Sequence, residues 1–69
     1  MVEVYKTDVT NMETAGNIIH RLLAVFPLHK INFDLYDCDN ILRVEGESIC
    51  NDTIIAIVNA QGYQCNPLE

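Results

Sequence analysis

The chain has 69 residues, 49% of them hydrophobic, and carries four basic side chains against ten acidic ones for a net charge of −6. A chain of that length forms one domain, which buries about 60% of the surface its unfolded form exposes. Lys6, Arg21, Lys30 and Arg43 are scattered among acids, so nucleic acid and anionic membrane are poor partners, and a cation or a basic protein surface suits the charge better.

Residues 3–9 alternate, with Tyr5, Thr7 and Val9 on one face and Val4, Lys6 and Asp8 on the other, which predicts a strand. Asn11 and Thr14 can each accept a hydrogen bond from a free backbone N–H and so offer helix caps. Ile18, Ile19, Leu22, Leu23, Val25 and Phe26 then recur at helical spacing and predict an amphipathic helix over 14–26, with His20, Arg21 and Ala24 on its wetter side. Pro27 lacks a backbone N–H and disfavours helix at Phe26, so the helix stops there.

Alternation returns over 29–36, with Ile31, Phe33 and Leu35 on one face. Asp37-Cys38-Asp39-Asn40 has turn composition, and 41–45 forms the return strand of a hairpin with Leu42 and Val44 inward. Gly46 breaks that strand, and Asn51 or Asp52 can cap a second helix whose buried stripe is Ile54, Ile57 and Val58, with Ile55 on its flank. Gly62 falls where a left-handed C-cap is expected, and 63–65 makes a short last strand before Pro67. The predicted core is Tyr5, Val9, Ile18, Leu22, Phe26, Ile31, Phe33, Leu42, Val44, Ile54, Ile57 and Val58.

The order β-α-β-β-α-β, with right-handed crossovers, predicts an α+β ferredoxin-like sandwich. Its four-stranded antiparallel sheet has the order 4-1-3-2, with two helices on one face. The domain spans 1–67, and Leu68-Glu69 reads as a cloning remnant. The first residues, Met1 to Lys6, lack both the basic flank and the apolar stretch of a targeting segment. The longest apolar runs, 22–26 and 54–58, hold five residues each, far short of a membrane span. Cys38, Cys50 and Cys65 are odd in number and widely spaced, so no disulfide framework is implied and the expected compartment is the cytoplasm.

Asn11-Met12-Glu13-Thr14-Ala15-Gly16-Asn17-Ile18 resembles the metal loop of heavy-metal-associated, copper-chaperone-type domains, whose pattern is Gly-Met-x-Cys-x-x-Cys. Residues 28–35 look like that family's second strand, and 54–63 like its closing helix and Gly-Tyr turn. The resemblance implies that Met12 matches the family's methionine and Tyr63 its closing tyrosine, with Asn11 in place of the glycine. It also puts Thr14 and Asn17 where the two metal-binding cysteines would stand. Cu(I) is soft and is held by paired thiolates, which a hydroxyl and an amide do not replace. No metal or other cofactor is therefore expected at that loop.

Other constellations are sparse. Carboxylates on both sides of Cys38 disfavour its thiolate, Cys50 reads as a small apolar packing residue, and Cys65 lies on the last strand near the sheet edge. Glu13, Asn17 and His20 share a helix face and could hold a metal weakly, although such sets are commonly solvated. His29 is expected to be exposed. Ser48 is the only serine, and the topology brings neither histidine near it, so no nucleophile has a base. Acylphosphatases share this fold but need an arginine in the 10–16 loop, and RNA-recognition motifs need aromatics on the third strand; this sequence has neither. Amino-acid-binding regulatory domains stay open.

The function expected is therefore a small non-catalytic binding module that contacts a protein or small ligand. Its surface would carry Met12, Thr14, Asn17 and Tyr63, with the sheet face of Lys6, Asn32, Asp34 and Tyr36 beside it. The alternative is a soluble copper or zinc carrier with non-standard ligands chosen from Glu13, His20, Cys38 and Cys65. An enzyme is the third and weakest reading.

Overall fold

The structure is a computed structural model that describes residues 1–36 and 40–68. Cys38, with the turn predicted around it, lies outside the described residues. The elements are β1 (Val2–Thr7), α1 (Met12–Val25), β2 (Lys30–Asp34), β3 (Ile41–Glu45), α2 (Asn51–Ala60) and β4 (Cys65–Pro67). They form a four-stranded sheet of order β2-β3-β1-β4 in which every neighbouring pair is antiparallel. The expected ferredoxin-like sheet order is the one observed, with β1 central.

Alternation decides which side of the sheet is covered. Tyr5, Thr7, Ile31, Leu42 and Val44 are buried on one side, where they meet Ala15, Ile18 and Leu22 of α1 and Ile54 and Val58 of α2. The helices also pack on each other, α1 beside β2 and α2 beside β4. The opposite side of the sheet, with Lys6, Asn32, Asp34 and Arg43, is exposed.

Several boundaries differ from the sequence expectation for local reasons. Helix α1 starts at Met12 because the Asn11 side chain accepts the Thr14 amide at 2.8 Å, which makes Asn11 the cap and places Thr14 inside the first turn. Cys50 holds the N-cap position of α2 without a side-chain cap bond, while Asn51 is already helical and its Oδ1 accepts a hydrogen bond from the Tyr5 hydroxyl. Strand β4 begins at Cys65, two residues late. Gly62 turns the chain at φ +93, the Tyr63 amide reaches back to the Val58 carbonyl, and the Gln64 amide donates to Asp8 Oδ1 at 2.8 Å. Pairing with β1 starts only once those donors are used.

Burial also departs from expectation. Phe26, Phe33 and Ile57 are half-buried, while Leu23 and Val25 are exposed. Ala15 and Cys65 take core places instead. Helix α1 thus covers the sheet with a narrower stripe than its hydrophobic content suggested. His29 is half-buried: its Nε2 lies 2.6 Å from the Ser48 carbonyl oxygen and its ring centroid 5.0 Å from that of Phe26. Gly46 makes this possible, since a Cβ there would stand 2.6–2.9 Å from the imidazole. A histidine therefore does approach Ser48, but through the backbone carbonyl and not the hydroxyl.

Candidate functional site

The loop after β1 is pinned from within. Thr7 Oγ1 donates to the Asn40 carbonyl at 2.6 Å and accepts the Val9 amide at 3.2 Å, so the chain folds inward at Val9 before Asn11 opens α1. Asp8, by taking the Gln64 amide, ties this loop to the segment leading into β4. The first turn of α1 and Tyr63 therefore lie at one end of the molecule.

The sequence-selected residues meet there only in part. Thr14 is half-buried, and its Oγ1 stands 3.4 Å from the Tyr63 hydroxyl. Met12 is 72% exposed and projects from the start of the helix. Glu13 and Asn17 are exposed as well. One turn on, Asn17 and His20 border an open cleft of about 450 Å³ with Arg21, Ala24 and Gln61, and Glu13 is not part of its lining.

The two cysteines among the described residues have opposite surroundings. Cys65 is buried beneath the sheet edge, and burial pushes its thiol up to about 11. That disfavours the thiolate a metal requires. Cys50 is exposed, not packed as an apolar group; its Sγ lies 3.1 Å from Thr53 Oγ1, and the hydrogen bond from that hydroxyl holds its thiol below the ordinary value. The one local sign of this is position, since a cysteine directly before a helix-capping pattern meets free amides. Among the described residues, no three His, Cys, Asp or Glu side chains converge as a metal site. None of the helices among them is long and apolar enough to cross a membrane.

Tyr5 is the other perturbed group. Its ring is fully buried, its hydroxyl donates to Asn51 Oδ1, and burial, with Glu3 adding to it, pushes the phenol up to about 12. It joins the central strand to the first residue of α2 and holds a proton it does not readily release.

No protein-family model and no curated protein sequence matches the chain. Among solved structures, the chain is similar to the yeast copper transporter domain CCC2A, determined in its apo and Cu(I)-loaded states. The TM-score is 0.80 at 20% identity, over 99% of this chain and 94% of that one. The chain thus shares the ferredoxin-like α+β fold of that domain.

Proposed function

We propose that this domain is a non-catalytic binding module that keeps the heavy-metal-associated scaffold and uses the α1 end to contact a protein segment or small ligand. The observation that supports this most is the Thr14–Tyr63 contact at 3.4 Å. At the two places where the resemblance puts a metal cysteine and the closing tyrosine, the chain has neutral hydroxyls facing each other. Such groups offer hydrogen bonds to a polar ligand and little to a soft cation. Exposed Met12 adds an adaptable apolar contact beside them.

The test is a titration of isotope-labelled protein with a fragment and peptide library. Amide shifts should gather at Met12, Thr14, Asn17 and Tyr63 for the compounds that bind. Binders that leave those amides silent and shift another face would reject the site. A second reading, a soluble metal carrier with non-standard ligands, draws support from Asn17 and His20 sharing one cleft. Protein produced with added copper, zinc and cadmium should retain no stoichiometric metal on the first reading. Stoichiometric metal lost on His20→Ala would favour the second.

A further inference from the structure

The two edges of the sheet are unlike. β4 is three residues long and carries Pro67 opposite Tyr5 of β1, so it is short and has no N–H there to offer a further strand. β2 has five residues, Lys30-Ile31-Asn32-Phe33-Asp34, and no strand of the described residues pairs with its outer side.

The hydrogen-bond parity of the sheet tells which β2 groups face outward. Met1 and Gly46 exchange both backbone hydrogen bonds, at 2.8 and 2.9 Å. Antiparallel pairs alternate between bonded and non-bonded positions, so Val44 and Leu42 turn their backbone groups to β1, while Glu45, Arg43 and Ile41 turn theirs to β2. Their partners Lys30, Asn32 and Asp34 are thereby committed to β3, and the N–H and C=O of Ile31 and Phe33 point away from the sheet.

We infer that this edge pairs with the same edge of a second copy of the chain, antiparallel and centred on Asn32, to form a weak dimer with one continuous sheet. In that register Ile31 of each copy faces Phe33 of the other, so each outward N–H meets an outward C=O. Lys30 of each copy faces Asp34 of the other, on the exposed side of the sheet. Centring the pair on Ile31 or on Phe33 would set neither charge against its opposite, so charge selects the one register. Half-buried Phe33 gains cover from Ile31 of the second copy. Extending the register brings Leu28, 93% exposed, towards fully exposed Tyr36 of the other copy, the two most exposed large hydrophobic side chains among the described residues. A five-residue strand contact is at the small end of specific interfaces, and the net charge of −6 on each copy repels at long range, so the dimer is weak and is strengthened by moderate salt.

Sedimentation velocity and NMR diffusion from tens of micromolar to low millimolar protein test this. The wild type should pass from monomer to dimer, with Ile31 and Phe33 amides gaining exchange protection as it does. Lys30→Asp or Asp34→Lys alone sets like charges opposite each other at both ends and should weaken the dimer about tenfold. The double reversal Lys30→Asp with Asp34→Lys restores complementarity and should return the dimer to within about threefold of wild type. Thermal melts of all variants verify that each is folded, so a loss of pairing reads as loss of the interface. A monomer throughout the range, single reversals without effect, or a double reversal no better than the singles would each overturn the inference. So would a dimer whose protected amides lie elsewhere.

Discussion

Tyr5→Phe removes one oxygen from the core and should leave a distinctive trace in stability against pH. The phenol is fully buried and donates to Asn51 Oδ1, and its pKa is raised from 10.0 to about 12. Below the unfolded value the group is protonated in both states and contributes its full stabilisation. Between 10 and 12 the unfolded chain releases the proton while the folded one keeps it, so stability falls as pH rises. A shift of that size is worth about 2–3 kcal/mol, against a total of roughly 3–10 kcal/mol for a domain this small. Tyr5→Phe should lower stability by about 1–2 kcal/mol near neutral pH through the lost hydrogen bond. It should also abolish this alkaline loss, and because that loss exceeds the gap at neutral pH, the two stability curves should meet and cross below about pH 12. Buried Cys65, raised from 9.0 to about 11, adds a loss of the same sign over its own interval, equally in both proteins. Urea unfolding followed by far-UV circular dichroism, from about pH 8 to about pH 12, measures the difference. A gap between wild type and variant that stays constant across that range would refute the reasoning.

Two further outcomes concern packing and thiol access. Phe33→Ala and Ile57→Ala should each cost about 1–3 kcal/mol, less than truncation of a fully enclosed side chain, because both residues are half-buried; denaturant midpoints measure this, and a cost under about 0.5 kcal/mol at both would show that neither packs against the core. Iodoacetamide at neutral pH should label Cys50 well before Cys65, since Cys50 is exposed with a lowered thiol pKa and Cys65 is buried with a raised one; peptide mass mapping reports the order, and labelling of Cys65 first in folded protein would contradict the placement of β4.

How much of this was legible beforehand follows from which signals are local. Period-two alternation placed Tyr5, Thr7, Leu42 and Val44 correctly, because a strand with one covered face leaves no other register. The sheet order followed from the connections. Cap choices were harder to read: Asn11, Thr14, Asn51 and Asp52 are all good caps by type, and only tertiary contacts chose between them. Tyr5 engages the Asn51 side chain, and the N-cap position of α2 falls to Cys50 with no side-chain cap bond. The contact between Thr14 and Tyr63 joins residues 49 positions apart; the family resemblance groups the two at one loop end, but nothing in the sequence points to the contact itself. His29 departs from its expected exposed position for a similar reason. Its place depends on the missing Cβ at Gly46 and on the Ser48 carbonyl, which lie on a distant segment that carries no local sign of the contact.

The claim that the α1 end occupies the place of a metal loop and presents no thiolate there is tested most directly by a Cu(I) titration against a competing chelator. Thr14 and Asn17 stand one turn apart at the start of α1, where the partial positive charge of the helix terminus favours thiolates. The double variant Thr14→Cys with Asn17→Cys should take Cu(I) from the chelator at one ion per chain. The wild-type loop should not, and that contrast should persist when Cys38, Cys50 and Cys65 are replaced by serine in both proteins. A folded double variant that competes no better than wild type, or strong wild-type binding that survives removal of all three cysteines, would contradict the claim.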